Sequence, residues 1–248
     1  MIRLGIDIGG SATKGALVDT LTGELVSERV RIETEAFAKP KVIIAAVDSI
    51  RKTLGYQGMI GAGFPGIVKS GVSLTAANMH KSWVNADIAQ MIAGKTGQGA
   101  VVLNDADAAG LAEMRFGNEE ARKHHTVLFL TIGTGIGSAI FVKGQLMPNT
   151  EFGHLKIRGK DAEHRASDAI RRQEKLSWRK WGERFSEALQ TYEFLLNPDL
   201  IILGGGLSYR FELFAKHLKT GTQVVPAKLQ NLAGIIGAAM AAREQDLA

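Results

Sequence analysis

Asn104-Asp105-Ala106-Asp107-Ala108-Ala109-Gly110 follows the short run Ala100-Val101-Val102-Leu103 and opens a helical pattern. A carboxylate at the end of a buried strand and the start of a helix stands on a fixed backbone and points into whatever lies above the sheet. Asp105 is therefore a candidate general base, able to accept a proton from a substrate hydroxyl, with Asn104 beside it as a hydrogen-bonding orienter. The alternative is that Asn104 or Asp105 only caps the helix Ala106 to Phe116, since Asn and Asp are favoured there. On this segment alone capping is the better reading; two glycine-rich turns elsewhere change the balance.

The first is Asp7-Ile8-Gly9-Gly10-Ser11-Ala12-Thr13-Lys14. Glycines let the backbone fold tightly and aim several N–H groups at one anion. Gly9 and Gly10 would supply that cradle, with hydroxyls from Ser11 and Thr13 and the ammonium of Lys14 as further donors. Asp7 would repel phosphate unless a cation stood between them, so it is assigned to Mg²⁺, through water. The second turn, Gly133-Thr134-Gly135-Ile136-Gly137, has the same character. Either turn alone is usually only a hairpin; together they suit the two ends of a phosphate chain. Gly204-Gly205-Gly206, after a short apolar run, would let a nucleotide approach closely, or would simply open a helix. It matches neither a dinucleotide fingerprint nor a Walker A loop.

The elements that position these groups repeat. Ile2 to Ile8 and Lys14 to Asp19 read as a hairpin, extended by one further strand over Leu25 to Glu33. Pro40 starts a helix with Val42, Ile43, Ala46, Val47, Ile50 and Leu54 at helical spacing. Met59 to Phe64 is a buried strand, and Val84 to Thr96 a helix capped near Asn85 or Asp87. Thr126 to Ile132 and Gly137 to Val142 repeat the strand, glycine turn, strand plan. Glu151-Phe152-Gly153-His154 falls in a loop, and Ala162 to Arg172 reads as one helix. Ser177 to Leu196 is a longer helix whose stripe of Trp178, Trp181, Phe185, Leu189, Tyr192 and Leu196 is read as core, not as a base-stacking platform. Leu200 to Leu203 is a buried strand, and the last helix runs from about Gln230 to Arg243. Strands and helices alternate in two halves, giving an α/β chain of two lobes sharing a cleft: residues 1–108 plus 236–248 as a small lobe, 109–235 as a large one.

Composition narrows the chemistry. The 248 residues are 45% hydrophobic and 22% charged, enough for real cores. There is no cysteine, which excludes thiolate catalysis and disulfides and points to a reducing, cytoplasmic setting. The chain enters a strand at residue 2 without a leader pattern, and no apolar run approaches the roughly 18 residues that span a bilayer. The net charge of +5 is mild for a nucleic-acid binder. Much of the excess lies between Lys156 and Arg184, read either as a groove for a polyanion or as a solvated helical face.

Five ordered motifs resemble the ROK sugar kinases, within the actin-like ATPase-domain (ribonuclease H-like) superfamily: Asp7 to Ser11, Asn104 to Gly110, Gly133 to Gly137, Glu151 to His154 and Gly204 to Gly206. Pro148 to His154, Leu176-Ser177-Trp178, Phe64 to Val68 and Leu229-Gln230-Asn231 are similar to the polyphosphate glucokinase branch. The resemblance implies glucose held by Asn104, Asp105, Glu151 and His154 with Gly66 nearby, and a homodimer, for which the helix from Ser177 is a candidate contact. Most of the family binds structural zinc through that histidine and a cysteine cluster. This chain has no cysteine, so no structural zinc is expected and His154 is freed for the sugar, unless it is a buried histidine bonded to a backbone carbonyl. A further family glutamate has no secure counterpart, Glu163 and Glu174 being nearby.

The expected reaction is in-line phosphoryl transfer to the 6-hydroxyl of glucose, with mannose open as a second acceptor. The donor is inorganic polyphosphate along the basic segment, ATP through Gly204 to Gly206, or both. A sugar-responsive regulator would need an N-terminal helix-turn-helix, for which a strand at residue 2 leaves no room. A noncatalytic polyanion-binding module would leave Asp7, Asp105 and both turns without a purpose.

Overall fold

The computed structural model of the chain describes residues 1–76 and 79–247. The chain divides into two compact units, Met1–Ala112 with Leu232–Ala248, and Glu113–Asn231.

The first unit is built on β1 (Ile2–Ile8), β2 (Ala12–Asp19), β3 (Glu24–Leu25), β4 (Val30–Glu33), α1 (Pro40–Thr53), β5 (Ile60–Phe64), β6 (Val68–Lys69), β7 (Val72–Ser73), α2 (Ile88–Thr96), β8 (Ala100–Asn104) and α3 (Asp105–Ala112). The main sheet runs β3-β2-β1-β5-β8, with β4 also on β2. β1 and β2 are antiparallel, whereas β5 and β8 join β1 in parallel. β5 is buried at every position, as a strand covered on both faces must be. The apolar stripe of α1 buries Ile43, Ile44, Val47 and Ile50 against the sheet, each such side chain stabilising the fold by roughly 1.5–3 kcal/mol.

Two elements depart from the sequence reading. The single strand over Leu25 to Glu33 is two, β3 and β4, because the Leu17 N–H donates to Ser27 Oγ (2.9 Å) instead of to a ladder carbonyl. The helix expected from Val84 begins at Ile88: Asn85 has φ +62°, which ends any helix there, and Asp87 caps by accepting from Gln90 N–H (2.9 Å).

The second unit contains β9 (Thr126–Ile132), β10 (Ile136–Val142), β11 (Gln145–Met147), β12 (Lys156–Ile157), β13 (Lys160–Asp161), α4 (Glu163–Ala166), α5 (Asp168–Gln173), α6 (Trp178–Leu196), β14 (Leu200–Gly204), α7 (Phe211–Phe214) and β15 (Gln223–Pro226). Its main sheet runs β11-β10-β9-β14-β15, again an antiparallel hairpin flanked by parallel strands. α6 starts at the Ser177 cap and buries Trp181, Phe185, Leu189 and Tyr192, so the aromatic stripe is core. Trp181 stacks on Phe185 with centroids 5.0 Å apart. These rings are therefore not the surface of α6; Phe194, 87% exposed, and Leu195 are. The helix read over Ala162 to Arg172 is broken at Ser167, which is extended and whose hydroxyl accepts Ile170 N–H to start α5.

Glu113 opens a π-helical turn, Glu113–Gly117, in place of further α-helix. Its side chain is fully buried and accepts N–H bonds from Lys228 (3.1 Å) and Leu229 (2.6 Å). Burial pushes its carboxyl up, against the pull of those two donors. The chain returns to the first unit through α8 (Ala233–Leu247), preceded by a 3₁₀ turn that Gln230 enters with φ +52°. α8 lies so close to β1, β5 and α3 that a Cβ on Gly5, Gly61 or Gly237 would run into a facing backbone carbonyl, of Ile235, Ala238 and Ala108 respectively. This packing fixes α3 beneath Asp105.

Candidate active site

In the first unit, register brings three strand ends together. Asp7 on β1 faces Gly63 on β5, and Phe64 on β5 faces Asn104 on β8. Asp7 and Asp105 thus stand at the carboxyl ends of parallel strands two ladder spacings apart, roughly 10 Å of sheet. Ligands bind at that edge in open α/β sheets.

Asn104 is the helix cap. Its Oδ1 accepts from Ala106 N–H (2.8 Å) and Asp107 N–H (3.1 Å), and its Nδ2 donates to the Gly66 carbonyl (3.1 Å). An amide has two donors and two lone pairs, so one N–H remains for a ligand. Asp105 is half-buried, and its Oδ1 accepts from Ala106 N–H (2.8 Å), which sets the carboxylate at the rim of α3. Gly63 lies next to it, its Cβ position in ordinary contact distance, 3.5 Å, from Asp105 Cα. Gly66 has its own reason to be glycine, the Thr75 carbonyl 2.5 Å from where a Cβ would stand.

The turn after β1 closes through Gly9 N–H to the Ala12 carbonyl (3.0 Å), leaving Gly10 and Ser11 exposed at its tip. Lys14 Nζ lies 3.1 Å from Asp7 Oδ2 across the hairpin. Thr13 corrects one assignment: it pairs with Ile8 and is fully buried, so its hydroxyl faces inward and cannot donate to phosphate. A single, partly exposed carboxylate with a lysine at one oxygen suits Mg²⁺ taken through water, since that ion keeps waters and leans on few protein ligands.

In the second unit, the Gly133 N–H donates to the Gly135 carbonyl (3.0 Å) and Thr134 is exposed. No atom lies within 4 Å of a Cβ position at Gly133 or Gly206, so both backbones are open to a ligand. Gly205 differs: it has φ +74° and its Cβ would meet the Ile132 backbone, so its glycine serves the fold.

Glu151 precedes a 3₁₀ turn, Phe152–His154, that is pinned from both sides: Phe152 N–H donates to Ser138 Oγ (3.0 Å), and Tyr192 hydroxyl donates to the Phe152 carbonyl (2.9 Å). Gly153 lies against the Ile136 carbonyl, where no side chain fits. His154 is 48% exposed and faces carboxylates: Nδ1 is 3.3 Å from Asp161 and 3.8 Å from Glu163, and Nε2 is 3.8 Å from Glu151. It is not a buried histidine on a backbone carbonyl. Burial pushes the Glu151 carboxyl up; His154 opposes this and Glu163 adds to it. Glu163 also accepts from Ile136 N–H (3.3 Å), tying the cluster to the second glycine turn. Glu174, in contrast, pairs with Arg184 at 2.8 Å. His154, Asp161 and Glu163 bring donor atoms within 4.8 Å of one another, and the Lys156 ammonium on Asp161 supplies counter-charge and holds that carboxyl low.

The sequence reading left Glu163 undecided; only the fold brings it beside His154. It also left the basic segment open between a polyanion groove and a solvated face. Lys156 pairs with Asp161, Arg158 and Arg165 with Glu187, Arg171 and Arg172 with Asp168, Arg179 with Glu183 and Arg184 with Glu174. Seven of its ten cations thus face five carboxylates, Asp168 and Glu187 each serving two, while Lys160, Lys175 and Lys180 are exposed.

Residues 3–169 match the model of the ROK family. A polyphosphate glucokinase of Mycobacterium tuberculosis (strain CDC 1551 / Oshkosh) is 43% identical over 238 residues, 96% of this chain and 89% of the relative. One of Mycobacterium leprae (strain TN) is 42% identical over 240 residues, 96% and 73% of the two chains. The crystal structure of an inorganic polyphosphate/ATP-glucomannokinase from Arthrobacter sp. strain KM superposes with TM-score 0.94 at 43% identity, covering 98% of this chain and 99% of that one. With the α/β sheets and strand-end motifs above, these likenesses establish that the chain belongs to the ROK family and has its actin-like ATPase fold.

Proposed function

We propose that the protein transfers the terminal phosphoryl group of inorganic polyphosphate to the 6-hydroxyl of glucose, giving glucose 6-phosphate, with ATP as a second donor. The observation that carries this reading is the junction of β8 and α3, where Asn104 fixes the helix start and Asp105 stands at the sheet edge beside the Asp7 strand end.

Asp105 takes the proton of the attacking hydroxyl, for which a carboxylate oriented by a backbone N–H is suited. Asn104 has one amide hydrogen left for the sugar. Glu151 and His154 bind sugar hydroxyls, and we add Glu163 to them on its position beside His154. Each carboxylate accepts from two hydroxyls of a ring that offers several. Lys14, Ser11 and the Gly9–Gly10 backbone take donor phosphate in the first unit, and the Gly133 to Gly135 backbone with Thr134 does so in the second. The open backbone at Gly206, with Gly204 and Gly205 before it, is the approach for a nucleotide base. Asp7 would hold Mg²⁺ through water, and that ion supplies charge neutralisation for the transferring phosphoryl group.

Glucose phosphorylation with purified polyphosphate and with ATP, at matched Mg²⁺, tests the donor. Activity with ATP alone would remove polyphosphate from the reading, and mannose in the same assay decides the acceptor. Asp105→Asn is expected to lower kcat on the order of 10²–10⁴-fold while sparing glucose binding; near wild-type turnover would refute the base assignment. A homodimer in the cytoplasm completes the proposal, and light scattering of the purified protein tests the assembly. No helix among the described residues is long and apolar enough to cross a membrane.

A further inference from the structure

We infer that Arg172, anchored by the buried Asp168 beside the second glycine turn, binds a phosphate group of polyphosphate beyond the one held at that turn, and so favours a phosphate chain over a nucleotide as donor. This rests on the polyphosphate reading above.

The geometry begins at the turn itself. Ala169 N–H donates to the Gly133 carbonyl (3.2 Å), so the first turn of α5 is fastened to the open backbone that takes donor phosphate. Asp168, 3% exposed, divides its two oxygens between neighbouring arginines. One accepts from Arg171 Nε at 2.8 Å; that arginine is largely buried and lies 4.0 Å over the Trp178 ring, a structural role. The other oxygen holds Arg172, whose side chain is 70% exposed.

A guanidinium has five N–H donors in a fixed fork and keeps its charge at every working pH. The carboxylate occupies one edge, and the rest faces solvent. Because a buried anion already orders the long side chain, less rotamer freedom is lost when a ligand arrives. Arg172 stands three residues beyond Ala169, about 4.5 Å along the helix, and its side chain extends that reach. A phosphate chain leaving the turn carries charge at every link, whereas a nucleotide soon offers a sugar and a flat base. Among the basic residues from Lys156 to Arg184, Arg172 combines exposure, a buried anchor and a direct tie to the glycine turn. Lys160, Lys175 and Lys180 are exposed, and among the described residues no buried carboxylate is paired with them.

The test is steady-state kinetics of the full chain with long-chain polyphosphate, with tripolyphosphate and with ATP. For Arg172→Ala the KM for long polyphosphate is expected to rise roughly threefold or more, as for loss of a solvent-facing charged contact. The KM values for ATP and glucose should stay within about twofold. The advantage of long chains over tripolyphosphate should shrink, and Arg172→Lys should recover part of it. Arg179→Ala, which removes equal charge from α6, serves as control. Equal increases for polyphosphate and ATP, no increase, or the same increase in the control would overturn the assignment. A fall in Tm without the donor split would reduce Arg172 to a salt bridge. Wild-type protein inactive with polyphosphate would instead defeat the underlying reading.

Discussion

The two glycine hairpins share one frame and differ in chemistry. β1–β2 and β9–β10 are antiparallel pairs, each continued by parallel strands on the side of the first strand. Beside the first turn the register opposes Ile8 and Thr13, and one step back it opposes Asp7 and Lys14, an ion pair at 3.1 Å, where the second hairpin has Thr131 and Gly137. At the mouth of the second it opposes Ile132 and Ile136, and polar support comes from elsewhere: Glu163 on the Ile136 N–H and Ala169 on the Gly133 carbonyl. A repeated backbone thus carries a charged pair at one turn and, at the other, glycines whose polar support comes from outside the hairpin.

If that division is right, neutralising the first hairpin should do more damage than trimming the second. Asp7→Asn keeps the size of the side chain and an acceptor for Lys14 while removing the charge that would balance a metal. A loss of kcat on the order of 10²-fold is expected, the scale of removing one electrostatic stabiliser of the transition state. Thr134→Ala at the exposed tip of the second turn should stay within about threefold, since the backbone does the binding there. Comparable losses in the two variants, measured as kcat at saturating donor, would erase the distinction.

Two glycines separated by one residue sharpen it further. A methyl at Gly133 meets no protein atom within 4 Å, so Gly133→Ala should fold normally. It should still raise donor KM severalfold, by standing where an anion approaches. A methyl at Gly135 would strike the Glu163 carboxylate, which lies beside His154. Gly135→Ala should therefore raise the KM for glucose more than that for the donor, by roughly tenfold if one charge-assisted bond to the sugar is lost. An identical pattern in both variants would separate Glu163 from the sugar.

Much of the frame was readable before any coordinates. The strand, glycine turn, strand repeat, the apolar spacing of α1 and the aromatic stripe of α6 are all local patterns, set by burial on one face. What escaped were matters of competition and distance. Ser27 and Ser167 interrupt a strand and a helix with side-chain bonds that propensity does not reveal. The orientation of the Thr13 hydroxyl depends on strand register, which sends alternate residues to opposite faces. Glu163 reaches Glu151 and His154 only because the β12–β13 hairpin folds the intervening chain back. Which cations of the basic segment are paired was not readable either, because Asp161, Asp168, Glu174, Glu183 and Glu187 meet them in space.

The smallest effect expected is a pH dependence confined to the second unit's carboxylates. Burial raises the Glu151 carboxyl, whereas the Lys156 ammonium lowers that of Asp161. A raised pKa means that Glu151 takes up its proton earlier as the solution is acidified, and a protonated carboxyl loses an acceptor site for sugar hydroxyls. The KM for glucose should therefore climb as pH falls through a range above that of an ordinary glutamate, while Asp161 stays charged and keeps His154 oriented. Glu151→Gln, which cannot ionise, should bind glucose more weakly at neutral pH and show a flat KM across the same range. The donor KM, governed by backbone N–H groups on this side, should not follow the same curve. If glucose KM in the wild type stayed level until the ordinary glutamate range was reached, the Glu151 carboxylate would not be the group that meets the sugar.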